Sequence, residues 1–126
     1  MNKAWQQATE EGNHENIIFL LESGENINSL DSYGQTALMN AAYRGDTELV
    51  KLLVGQGAKL DVTAKYNLTA LMLAVINERN EIVRILVNAG ANTNMKGSSG
   101  SFECTPVEYA KEHGNNEIIS ILDKNT

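Results

Sequence analysis

The sequence offers few side chains that could carry out chemistry, and none has the spacing that a reactive site needs. His14 and His113 lie far apart, and neither has a second ligand at metal-site spacing. Cys104 has no local base of the kind that activates a thiol, so we expect an ordinary free cysteine. The stretch GSSGS at 97–101 lacks the Lys-Ser/Thr pair of a phosphate loop. The sequence therefore predicts no catalytic residues, no cofactor-binding residues and no metal ligands, and a protein that is not an enzyme.

Composition narrows the class of protein further. The chain has 126 residues, of which 42% are hydrophobic, so we expect one domain spanning 1–126 with its own core. A net charge of −6 argues against nucleic acid as a partner, because phosphate binding needs a basic surface. Short apolar runs argue against a membrane span, and the N-terminus lacks the apolar core of a secretory signal. The single cysteine is typical of a reducing compartment, so we expect a cytoplasmic monomer.

The elements that would position any functional side chain recur along the chain. The letters TALM occupy 36–39 and again 69–72, a spacing of 33 residues. Glycine, alanine and apolar residues recur at the same spacing, and a further unit follows Thr69 at a shift of 36, where Thr105 stands. The aligned columns include Gly24/Gly57/Gly90, Ala8/Ala41/Ala74 and Leu20/Leu53/Leu86. Such a period predicts units that bury their apolar faces against one another in a stack.

Each unit contains two helical patterns. In the second unit Thr36 can cap one helix and Asp46 the next, with Gly45 breaking the chain between them. In the last unit Pro106 stands at a first helical position. Trp5 occupies the column of the apolar helix residues, which favours a core role. The turn-rich stretches between units predict β-turns or short hairpins.

These units resemble the ankyrin repeat. The residues that carry the resemblance are DSYGQTALMNAAYRGDTELVKLLVGQGA at 31–58 and AKYNLTALMLAVINERNEIVRILVNAGA at 64–91. The resemblance implies an all-α fold, an α-solenoid of stacked helix-turn-helix repeats with short β-hairpin fingers. It divides the chain into repeats at about 3–30, 31–63, 64–96 and 97–125. Polar residues in the outer units are typical of terminal caps, so we expect a complete domain.

Three departures from the family pattern concern the backbone. Glu78 stands where other units have glycine, so either it adopts a positive φ at a cost of about 1 kcal/mol, or the backbone differs there, with Asn77 taking the unusual conformation. Asn67 replaces the turn glycine Gly34, which asparagine tolerates. The residues 97–101 lengthen the last finger, either as a plain insertion or as a functional lip beside a binding groove.

The resemblance also implies where a partner would bind. Ankyrin modules usually bind proteins on the concave surface made by the fingers and the exposed side of each first helix. Carried over to this sequence, that surface gives the partner-binding residues Tyr33, Gln35, Tyr43, Arg44, Tyr66, Leu68, Ile76 and Asn77, with Glu10, Glu11, Glu112 and His113 at its edges. Alternatively, Leu68 and Ile76 pack against the neighbouring finger and the tyrosines cover the seam between repeats.

The leading functional hypothesis is therefore a protein–protein interaction module that binds another protein. Two alternatives remain open at this point. The chain could be an accessory subunit that stabilises an enzyme, or a bacterial effector that acts on host proteins. A small enzyme is disfavoured because the sequence assembles no nucleophile, base and orienting group.

Overall fold

The computed structural model describes residues 3–98 and 102–124, and within these ranges the chain forms eight α-helices in four consecutive pairs. The helices are α1 Lys3–Glu11, α2 His14–Glu22, α3 Ala37–Arg44, α4 Thr47–Gly55, α5 Ala70–Ile76, α6 Asn80–Asn88, α7 Pro106–His113 and α8 Asn116–Asp123. A 3₁₀ turn lies at Lys65–Asn67. None of the helices in the described ranges is long and apolar enough to cross a membrane.

The pairs stack in the order of the sequence. The first helices form one layer, in which α1 packs on α3, α3 on α5 and α5 on α7. In the second layer α4 packs on α6 and α6 on α8. The core lies between the layers, and the recurring columns fill it: Leu38 and Leu71 are each 1% exposed, and Trp5 is completely buried. The predicted all-α solenoid and the core role of Trp5 are confirmed.

The predicted helix ends are also confirmed. The hydroxyl of Thr36 accepts a hydrogen bond from the Met39 amide, and the Asp46 carboxylate accepts one from the Leu49 amide. Each satisfies an amide that has no partner within its own helix. Gly45 ends α3 in the left-handed conformation with φ of 82°, and Pro106 begins α7. The capping and helix-breaking residues that the sequence indicated therefore stand at the observed helix ends.

The fingers are turns, and the predicted β-hairpins are not confirmed. Within the described ranges no residue is in a strand. The second unit's finger is closed by the Asp31 amide, which donates to the Gln35 carbonyl, and by the Gly34 amide, which donates to the Asp31 carbonyl. The Asp31 carboxylate takes the remaining donors, the amides of Tyr33 and Gln35. Because these amides form hydrogen bonds inside the turn, the finger has no pair of hydrogen-bonded strands and is not a β-hairpin.

The third unit carries an unusual backbone. Glu78 has φ of 56°, so the positive-φ alternative is confirmed; Asn77 has φ of −93°, so the alternative that placed the unusual conformation at Asn77 is wrong. Asn67 has φ of 60° as expected, and Tyr66 joins it with φ of 64°, which the sequence did not indicate. Two contacts with the next finger hold this turn. The Asn67 amide group donates to the Lys96 carbonyl, and the Tyr66 carbonyl accepts from a backbone amide 2.8 Å away in the next finger.

The insertion at 97–101 is only partly described, since residues 99–101 lie outside the described ranges. Gly97 is buried, and a methyl group there would overlap the carbonyl oxygen of Phe102. Ser98 donates its amide to the Tyr66 carbonyl at 2.8 Å. The start of the insertion therefore lies against the finger of the third unit. Whether the insertion serves as a lip beside a groove stays a prediction.

Candidate functional site

The two histidines, which the sequence offers as possible reactive groups, each contact a neighbouring side chain in the structure. His14 Nε2 lies 2.8 Å from Asp46 Oδ2, which joins the first unit to the second. The ring of His113 stacks on Tyr109 with 4.0 Å between centroids. In the described part of the chain no group of three or more His, Cys, Asp and Glu side chains could hold a metal ion.

The thiol of Cys104 is poorly suited to act as a nucleophile. Desolvation raises its pKa, and the carboxylates of Glu108 and Glu112 raise it further, while Lys96 opposes them. Only the thiolate is strongly nucleophilic, so a raised pKa lowers the reactive fraction near neutral pH. This agrees with the expected ordinary free cysteine.

Three tyrosines of the second and third units are exposed. Tyr33 is 75% exposed, Tyr43 is 55% exposed and Tyr66 is 47% exposed. Tyr33 and Tyr66 lie on the fingers of the second and third units, while Tyr43 lies at the end of α3. The finger that carries Tyr33 is fixed by Asp31, whose carboxylate accepts the Tyr33 amide at 2.8 Å. These are large aromatic side chains displayed on fixed backbone.

Arg44 and Asn77, which the sequence analysis assigned to the binding surface, join neighbouring units. Arg44 Nη1 donates to the carbonyl oxygens of Thr9 at 3.0 Å and Glu10 at 3.3 Å, at the end of α1. Asn77 Nδ2 donates to the Tyr43 carbonyl at 2.9 Å, at the end of α3. These carbonyls belong to the last turn of a helix, where intrahelical donors run out. Both side chains therefore cap the helix of the preceding unit.

The same junctions explain two further positions. Arg79 also donates to the Tyr43 carbonyl, at 3.3 Å, and a methyl group on Gly45 would lie 2.8 Å from its guanidinium carbon. Arg79 occupies the N-cap position of α6, where it forms no side-chain cap. Comparison of the columns could have revealed it, because the equivalent residues Asn13 and Asp46 are both capping types.

The remaining predicted residues are partly covered. Leu68 and Ile76 are half-buried and pack against the hydrophobic core. Gln35 is half-buried and closes the base of the finger through its backbone. Of the eight predicted residues, the three tyrosines and Arg44 are exposed, and Arg44 is bonded to the end of α1.

A cleft opens between the first two units, beside Tyr33 and Tyr43. It has a volume of 340 Å³ and is lined by Glu10, Asp31, Tyr33, Asn40, Tyr43 and Arg44. We call it the tyrosine cleft. The sequence analysis missed Asp31 and Asn40, whose side chains are joined by a 3.1 Å hydrogen bond. Asn40 could have been found because it is a polar residue in the column where Leu73 is buried.

A second aromatic group on the last unit was also missed. Phe102 stacks on Tyr109 with 4.8 Å between centroids, and Tyr109 stacks in turn on His113. His113 is exposed, Tyr109 is half-buried and Phe102 is only 2% exposed. The stack anchors the end of α7 to the last finger.

Helix pairs stacked in chain order, with side chains of the second and third units capping a helix of the preceding unit, define an α-solenoid repeat protein. The family model described as Ankyrin repeats (3 copies) matches residues 5–97, which is more than half of the chain. The chain therefore belongs to the ankyrin repeat family. Its members are generally protein–protein interaction modules and are typically non-catalytic. No curated protein matches the chain.

Proposed function

We propose that this protein is a non-enzymatic interaction module that binds a partner protein through its concave face. Tyr33, Tyr43 and Tyr66 are the main contact residues. Gln35, Arg44 and Asn77 hold the fingers and helix ends that present them, while Leu68 and Ile76 form the apolar floor. The observation that carries the proposal is the exposure of three tyrosines on the fingers and first helix of two adjacent units, at 75%, 55% and 47%.

The physical support comes from the chemistry of interfaces. Tyrosine is enriched among the residues that dominate binding energy, since it buries a large area and orders few rotatable bonds. The stacked units fix the backbone beneath these side chains, so little conformational entropy is lost on binding. We further propose that the protein acts as a monomer in the cytoplasm, a reducing compartment in which Cys104 stays a thiol.

The proposal is tested by affinity capture from the source cell with identification of the retained proteins. The double variant Tyr43→Ala, Tyr66→Ala should lose the specific partner while keeping the helical circular dichroism of the parent. Phe19→Ala is the matched control, because Phe19 is an aromatic residue that is 65% exposed but lies on α2, the second helix of its unit, rather than on a finger or a first helix. A partner retained by the double variant, or lost equally in Phe19→Ala, would refute the assignment of the face.

A further inference from the structure

We infer that the tyrosine cleft receives a lysine or arginine side chain of the partner protein. This inference rests on the proposed function and names the chemistry that the partner must carry at one position. It follows from the cleft's aromatic walls, its two carboxylates and the hydrogen bonds that hold its lining cation, Arg44, against the end of α1.

The walls suit a cation. Tyr33 and Tyr43 line the same 340 Å³ cleft, which has room for one long side chain. A guanidinium or ammonium group within about 6 Å of a tyrosine ring is attracted by the negative potential of the ring face. The alkyl stem of lysine or arginine also packs on aromatic surface while its charged end reaches polar groups. Neutral aliphatic side chains would use the walls but would leave the carboxylates of the cleft unpaired.

Two carboxylates line the cleft: Glu10 is exposed on α1, and Asp31 is buried in the finger. Glu10 Oε1 accepts from Gln6 Nε2 at 3.1 Å, and Gln6 in turn donates to Ser32 Oγ at 3.2 Å. Asp31 is 8% exposed and is held by three N–H donors, including Asn40 Nδ2. Within residues 3–98 and 102–124, none of the ion pairs involves Glu10 or Asp31. The two negative charges are therefore oriented but not neutralised by a direct contact.

Arg44 also lines the cleft and is exposed, but its guanidinium is bonded to the end of α1. Its Nη1 atom is shared between two backbone carbonyls of α1, and its Nη2 atom lies 3.0 Å from where a methyl group on Gly12 would sit. The guanidinium is thus turned toward the helix end beneath it. The whole chain also carries a net charge of −6, which favours the approach of a basic partner.

The neighbouring junction shows the same contact made within the chain. Lys65 Nζ lies 5.0 Å from the centroid of the Tyr66 ring. At that tyrosine the protein supplies its own cation, and a second positive charge would be repelled. Tyr33 and Tyr43 have Glu10 and Asp31 beside them instead. The basic residue of the partner is therefore expected at the first junction, and an uncharged stretch at the second.

The test is selection from a displayed library of random 12-residue peptides on the purified protein, followed by affinity measurement of the enriched peptides. We expect lysine or arginine at one position of the enriched peptides, and weaker binding as the salt concentration rises. Replacing an arginine at that position with citrulline, its neutral isostere, should weaken binding about tenfold. Glu10→Gln should weaken binding about fivefold. Glu22→Gln, an exposed glutamate on α2, is the control that should leave affinity unchanged.

The outcomes separate this inference from the proposed function. Peptides that bind without a basic residue, or that tolerate both citrulline and Glu10→Gln, but are lost in the double variant Tyr43→Ala, Tyr66→Ala, would overturn the cation site and leave the concave face standing. Peptides that survive the double variant would overturn both. A selection that enriches no peptide counts against both.

Discussion

Replacement of Arg44 by alanine should loosen the first repeat unit selectively. The guanidinium donates to the carbonyl oxygens of Thr9 at 3.0 Å and Glu10 at 3.3 Å, which end α1. Hydrogen bonds of charged groups contribute about 1.5–3 kcal/mol each, and less when they are exposed and long. Counting about 1.5 kcal/mol for the part-buried bond to Thr9 and about 0.5 kcal/mol for the exposed bond to Glu10 gives a loss of about 2 kcal/mol.

The loss should be local because stacked units gain stability mainly from their neighbours. The first unit touches only the second, so a weaker junction lets it unfold ahead of the rest. The chain has one tryptophan, Trp5, which is completely buried in α1. Trp5 fluorescence therefore reports on the first unit. Circular dichroism at about 222 nm reports on all the helices, and two probes that disagree show that unfolding is not two-state.

In urea unfolding, Arg44→Ala should lower the midpoint of the fluorescence transition by about 1 M, for a slope of about 2 kcal/mol per M. The circular dichroism transition should move less and separate from the fluorescence transition. Arg84→Ala is the control: its contacts with the exposed carboxylates of Glu81 and Glu117 measure 3.7 and 3.5 Å, so its loss should cost less than about 0.5 kcal/mol. Equal midpoint shifts in the two variants, or coincident transitions in Arg44→Ala, would refute the capping role.

Three further predictions concern the later units. Glu78→Gly should stabilise the protein by about 1 kcal/mol in thermal or urea unfolding, because φ is 56° there and glycine adopts that conformation without strain; a loss of stability would contradict this. Hydrogen bonds from the backbone N–H of Thr105, and then from its hydroxyl, lower the pKa of Glu108. The stability that these bonds contribute is therefore present above the unfolded-state pKa of Glu108, and it is lost as pH falls through the lower folded-state pKa. In Thr105→Ala, carboxyl NMR titration should show that pKa rising partway, and an unchanged value would contradict the assignment. Gly97→Ala should destabilise the last unit because its methyl group would overlap the Phe102 carbonyl oxygen, and an unchanged melting temperature would exclude that contact.

The candidate site was only partly predictable. The column comparison selected three tyrosines that are exposed in the structure. It could not distinguish side chains that are available to a partner from side chains that cap the preceding unit. Arg44 and Asn77 do not recur between units, yet each donates to a carbonyl 35 or 34 residues earlier in the chain, respectively. That outcome depends on the rotamer of one side chain and its distance from the next unit, neither of which a repeat of letters encodes.

What the sequence determined by itself is the repeating part of the protein. The helix ends depend on contacts within a unit, as at the caps Thr36 and Asp46 and at Gly45. The buried columns depend on the apolar faces that every unit must bury, so the same residue types return at the same spacing. Only the tertiary structure decided how the non-repeating side chains combine. Glu10 and Tyr43 line one cleft because neighbouring units bring them together, and this depends on the offset between units rather than on any local pattern.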